Sequence, residues 1–179
     1  IISSELLDVR ENYTIARRSE IQEFEGDFED EDLIEKEEMV VTVTREGYIK
    51  RTALSEYREQ KRGGKGTQGM NTKETDVVTN LFVTNTHSPL LFFSSDGFVY
   101  KLKTWRLPQS GRNSKGKAII NLLPINSLAR ITTILPVEAE EETWKDLQIF
   151  FATSTGNVRR NALSDFTNVK ANGKIAMKL

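Results

Sequence analysis

The chain has 179 residues, 37% of them hydrophobic and 28% charged, with a formal net charge of −1. This length suits one sizeable domain or a section of a repeat array, and no run approaches the roughly 18 consecutive apolar residues of a membrane span. The absence of cysteine excludes a disulfide scaffold and any thiolate metal site.

The near-zero net charge hides a division. Residues 1–39 carry 14 acids against 4 bases, a net of −10, and residues 40–179 carry 12 acids against 21 bases, a net of +9. Two segments of opposite sign are best read as two units, the basic one a candidate polyanion binder. The start, Ile1-Ile2-Ser3-Ser4-Glu5, has neither an initiator Met nor a basic-then-apolar leader, so the chain is expected to begin inside a longer protein. Ile2, Leu6, Val9 and Tyr13 recur at helical spacing and predict a short N-terminal helix. The dense acidic run Glu23–Asp32 has little to bury and reads as a solvated linker, or as a segment competing for basic surface.

From Met39 the texture changes. Met39–Thr44 is β-branched and short, Arg45-Glu46-Gly47 makes a turn, and Tyr48–Arg51 reads as the returning strand. The same hairpin recurs at Leu91–Lys101 and at Ile149–Arg160, its turn glycines Gly47, Gly97 and Gly156 lying 50 and then 59 residues apart. Past the hairpin, Arg62–Gly66 and Arg112–Gly116 share the 50-residue offset, and Ala171–Lys174 stands at the equivalent place after the third hairpin. Two further strand runs, Val77–Val83 and Arg130–Leu135, make four strands per repeat plausible. Such a period indicates a propeller-like array in which neighbouring blades complete each other's core. The insertion Glu138–Trp144 accounts for the longer second spacing and is expected to bulge from the array as an acidic loop.

The strongest local signal is Gln60-Lys61-Arg62-Gly63-Gly64-Lys65-Gly66. Its glycines let successive N–H groups face one anion, and its cations suit phosphate oxygens. It is not a P-loop, because no Ser or Thr opening a helix follows a Gly-Lys pair at the required spacing. Bases recur at equivalent points: Lys50 and Arg51, Lys101 and Lys103, Arg159 and Arg160 after the hairpin glycine, then Arg112, Lys115, Lys117 and Lys174 in the second loop. Repetition predicts a basic rim that follows a DNA backbone without reading base edges. No catalytic constellation is visible. The only histidine, His87, lies in a turn and is expected to be solvated, and Trp105 and Trp144 are expected to pack rather than to stack on bases.

These residues resemble the gyrase A family of type II DNA topoisomerases. Gln60–Gly66 is similar to that family's glycine-rich box, with Lys61 where Arg is usual, and Val40–Arg51 is similar to the opening blade of its C-terminal domain. Ile2–Ile21 is similar to the exit of its cleavage half. The resemblance implies an all-β fold, a partial β-pinwheel of about three of six blades with strands exchanged between blades. It divides the chain into 1–38, the end of the cleavage half and an acidic linker, and 39–179, the first part of the DNA-wrapping domain. It further implies chiral wrapping of duplex DNA, with a gyrase B subunit, together with a second A subunit, for partners, no membrane, and a cytoplasmic setting in the bacterial nucleoid. The chain itself is expected to hold no cofactor, the parent's ATP and Mg belonging to other regions. Two rival readings are the A-type subunit of topoisomerase IV, which typically lacks a clean box, and a propeller-like scaffold for protein partners, which would carry apolar rather than basic blade tops.

Overall fold

The computed structural model describes residues 2–15, 30–57, 76–138 and 140–178. Helix α1 (Ile2–Tyr13) forms where the spacing predicts it, and none of its residues is buried. The rest is β: β1 (Glu38–Thr44), β2 (Tyr48–Ala53), β3 (Val78–Asn85), β4 (Pro89–Ser94), β5 (Phe98–Lys103), β6 (Lys117–Ala118), β7 (Ile131–Pro136), β8 (Gln148–Ala152), β9 (Val158–Ala162) and β10 (Lys174–Ile175). One-turn 3-10 helices follow each outgoing hairpin strand, at Leu54–Glu56, Thr104–Arg106 and Leu163–Phe166.

The three hairpins β1–β2, β4–β5 and β8–β9 share one turn. The amides of Gly47, Gly97 and Gly156 donate to the carbonyls of Thr44, Ser94 and Thr153. Each glycine then takes φ between +82° and +84°. That is a tight turn closed by a left-handed residue, a conformation that glycine enters without the cost of a Cβ. The Thr44 and Thr153 hydroxyls accept from the amides of Tyr48 and Asn157 at 3.1 Å, repeating the same closure.

Strand order shows that no repeat completes its own sheet. The first sheet runs β3-β1-β2-β6 and the second β10-β5-β4-β7, while β8 and β9 pair only with each other among the described residues. Thus β6, from the second repeat, closes the edge of β2, with Ile49 opposite Lys117. Likewise β10, from the third, closes the edge of β5, with Val99 opposite Lys174. This is the exchange of strands expected of a pinwheel.

Packing follows the alternation of strand side chains. Leu90 and Phe92 of β4 face the first blade and join Val41, Val43, Ile49, Ile119 and Ile134 in one core. Leu91, on the opposite face, joins Val99, Val137, Trp144, Leu163 and Phe166 in the next. A strand covered on both faces reads as a continuous apolar run, as Leu90–Phe93 does. The insertion after β7 departs from expectation. Glu141–Asp146 is a 3-10 helix, and Trp144 within it is fully buried between the second and third repeats. An indole offers too much apolar surface to leave in water, and it draws the segment inward.

Candidate nucleic-acid interface

The box Gln60, Lys61, Arg62, Gly63, Gly64, Lys65 and Gly66 lies outside the described residues. Its counterpart in the second repeat is well defined. The loop of Arg112 to Gly116 runs across β2 of the preceding blade and ends in β6. Gly116 has φ +77°, and a Cβ there would lie 2.5 Å from the Ile49 carbonyl oxygen. Gly173 sits the same way against the ring of Tyr100, with φ +85°. Backbone approach this close is available only to glycine. Lys115 is half-buried, and its Nζ lies 3.8 Å from the centroid of the Tyr48 ring, a cation–π seat.

The hairpin bases divide sharply, and Lys50 corrects the sequence reading. It is fully buried, and its Nζ donates to the carbonyls of Gly111 and Arg112 at 3.0 and 2.5 Å. Burial lowers its pKa, opposed by the charge of Glu56. A desolvated ammonium needs such acceptors, and with them Lys50 bolts the loop to β2 and faces no DNA. Arg51 donates from Nε to the Leu107 carbonyl at 2.9 Å, and burial lowers its pKa against the pull of Glu37. Lys101, at the equivalent position, donates to the Thr167 carbonyl at 2.9 Å. It also pairs with Glu141 and lies 5.1 Å from the centroid of the Trp144 ring. Leu107 and Thr167 each follow the 3-10 helix of the next repeat, so Arg51 and Lys101 are blade-to-blade braces. Arg160, third in that series, is exposed.

Lys103 Nζ lies 3.0 Å from Glu31. His87 corrects a second expectation: its Nε2 donates to the Ile34 carbonyl at 2.7 Å, so it is held and not merely solvated. Trp105 is half-buried with the Arg106 guanidinium 5.0 Å from its ring centroid. Lys117, Arg159, Arg160 and Lys174 are exposed, Lys174 donating to the Asp165 carbonyl, and Arg112 is half-buried. The signal that separates Lys50 was present in the repeat: its counterparts are Tyr100 and Arg159, and a place that accepts tyrosine is a packing place.

No described group of three His, Cys, Asp or Glu side chains could hold a metal ion. No helix among the described residues is long and apolar enough to cross a membrane. The chain matches the DNA gyrase C-terminal domain, beta-propeller, over residues 38–85, 88–124 and 148–179. It belongs to that family.

The three matched stretches are the three repeats, and the segment carrying the Trp144 insertion falls between the second and third. The DNA gyrase C-terminal domain family also accounts for the relatives. The chain is 48% identical over 179 residues to the DNA gyrase A protein of Rickettsia bellii (strain RML369-C), covering all of this chain and 20% of that protein. It thus spans about a fifth of the length of the curated gyrase A relatives it matches. Among solved structures, a DNA gyrase A C-terminal domain is 26% identical with a TM-score of 0.61, over 79% of this chain and 44% of that one. The C-terminal domain of a DNA topoisomerase IV is 26% identical with a TM-score of 0.63, over 78% of this chain and 41% of that one. Gyrase and topoisomerase IV domains therefore share this blade, and the gyrase assignment rests on the family match and the curated relatives.

Proposed function

We propose that this chain binds duplex DNA without sequence preference, as part of the surface on which a gyrase wraps DNA with a chiral sense. The observation that carries the reading is the register of the second loops. Lys117 stands opposite Ile49 and Lys174 opposite Val99. A cationic loop is thereby fastened at one point of each successive blade, and its repeat matches a curved backbone rather than a base sequence. Arg112, Lys115, Lys117, Lys174, Arg159 and Arg160 are the phosphate contacts of this reading, and the box Gln60–Gly66 is the first member of the series. In the whole enzyme, with a gyrase B subunit, together with a second A subunit, in the cytoplasm, the wrapped segment would be presented for ATP-dependent strand passage. ATP and Mg would be held by regions outside this chain.

The test is the salt dependence of binding to random-sequence duplex. Each phosphate neutralised contributes about 0.9 to the log–log slope. Replacing Lys117 and Lys174 by Ala is expected to lower the slope by about 1.8 and to weaken all sequences alike. The same measurement on Lys61, Arg62 and Lys65 changed to Ala asks this of the box. A native slope near zero, or strong preference for one sequence, would refute the reading.

A further inference from the structure

The three hairpin bases Lys50, Arg51 and Lys101 are held by main-chain carbonyls of the adjoining repeat. Lys103 is held otherwise. Its partner is the side-chain carboxylate of Glu31, at 3.0 Å, on the acidic segment that precedes the blades. The same Glu31 oxygen lies 3.4 Å from Nδ1 of His87. The Nε2 bond to the Ile34 carbonyl fixes the imidazole in that orientation. All three side chains keep contact with water, at 20%, 23% and 30% exposure for His87, Glu31 and Lys103.

The segment is seated unevenly. Residues 35–37 are stitched to the turn between β3 and β4: Thr86 Oγ1 donates to the Glu35 carbonyl at 2.8 Å, and the Thr86 amide donates to the Glu37 carbonyl at 3.0 Å. The Glu37 amide returns a bond to Thr86 Oγ1 at 3.2 Å. Among the described side chains and carbonyls of residues 31–34, the Glu31 carboxylate meets Lys103 and His87, and the Ile34 carbonyl accepts from His87. Of their two large apolar side chains, Leu33 is 77% exposed, and Ile34 is half-buried but belongs to neither of the two cores. Lifting this turn would therefore uncover no core.

We infer that Lys103 forms a seat for a phosphodiester oxygen of duplex DNA, occupied in the free chain by the Glu31 carboxylate, and that His87 adds a second donor there, from Nδ1, only as the imidazolium, since its Nε2 already donates to Ile34. Residues 31–34 are then a latch hinged at the Thr86 stitches. A carboxylate is the side-chain group that most resembles a backbone phosphate in charge and in its acceptor oxygens, so the two compete for one place. DNA binding must displace the latch, and the acidic segment sets the threshold for engaging the second blade. This inference rests on the proposed DNA reading.

The test is a mutant cycle on duplex binding by this chain, with Glu31→Gln, Lys103→Ala and both together. At low salt E31Q is expected to bind random-sequence duplex three- to tenfold more tightly, with the slope steepened by about 0.9. The gain should fade at high salt as exposed charges are screened. In the Lys103→Ala background, E31Q should give no gain. Amide exchange at Ile34 should accelerate when duplex is added to the native chain, while Thr86 stays protected. If the native chain binds DNA with a salt-dependent slope and E31Q binds it identically, the latch is wrong and the DNA reading stands. If the native chain shows no salt-dependent binding, both fall together. If inorganic phosphate accelerates Ile34 exchange as strongly as duplex does at equal phosphate concentration, the seat belongs to free phosphate and the DNA assignment is overturned.

Discussion

The first two sheets and the third hairpin are built from the same local unit, and they have different fates. All three hairpins share the turn geometry and an unbroken antiparallel register. Yet β1 is buried from Met39 through Thr44, and β4 along nearly all its length, whereas β8 alternates between exposed and half-buried. The outer edge of β2 receives β6 and that of β5 receives β10, while β9 pairs only with β8 among the described residues. Phe150 and Val158 are 68% and 67% exposed in consequence. A hairpin is thus a property of a dozen residues, and a blade is a property of two repeats. Stability in such an array belongs largely to the junctions.

The sharpest way to test that contrast is at the glycines. Gly116 combines positive φ with a Cβ position 2.5 Å from a backbone oxygen, whereas Gly156 has φ +84° and open space around it. Gly116→Ala is expected to cost about 2–5 kcal/mol, roughly 1–2 from the left-handed backbone and 1–3 from overpacking. Gly156→Ala should cost only the backbone share, about 1–2 kcal/mol. Urea unfolding measures both, and equal losses would mean that the junction carries no special load.

Lys50→Met comes next. The thioether matches the aliphatic stem but leaves the Gly111 and Arg112 carbonyls without their donor, an expected loss of about 1–3 kcal/mol. The pH dependence has a definite sign. Because burial lowers the Lys50 pKa in the folded chain, the penalty for a buried ammonium is present in full at neutral pH. It is relieved as pH rises through the folded value toward the ordinary lysine value. Native stability relative to Lys50→Met should therefore grow with pH across that alkaline window, and a constant difference would contradict the burial. The smallest effect is expected at the braces. Lys101→Ala should cost about 1–2 kcal/mol through its lost bond to Thr167. Arg160→Ala, at the equivalent place but exposed, should cost under about 0.5 kcal/mol. Thermal melts of the two variants make the comparison.

What was legible in the sequence follows the same division. The hairpins could be read because their causes are local: β-branched runs, and a glycine where the turn needs positive φ. The repeat could be read because two motifs shared one offset. The destinations of the bases could not. Apart from the tyrosine at the counterpart of Lys50, the sequence gives no hint: Lys50 and Lys117 are both lysines in a β repeat, and the covering loop makes one buried and leaves the other exposed. Trp144 was recognisable as a packing residue, but its segment looked like an acidic bulge, since the acids crowd around it and the indole's partners, Leu163 and Phe166, come later in the chain. Glu31 was legible as one acid among many. Its pairing with Lys103 depends on the turn at Thr86, far away in sequence.

The forward loan of a strand also sets a timetable for synthesis. Residues 38–53 can form their hairpin as soon as they emerge, but the edge at Tyr48 and Ile49 stays open until Lys117 and Ala118 have been made. At about 5–20 residues per second, that interval is on the order of several seconds. During it the nascent chain carries a bare hydrogen-bonding edge beside an uncovered apolar face, the combination most prone to wrong partners.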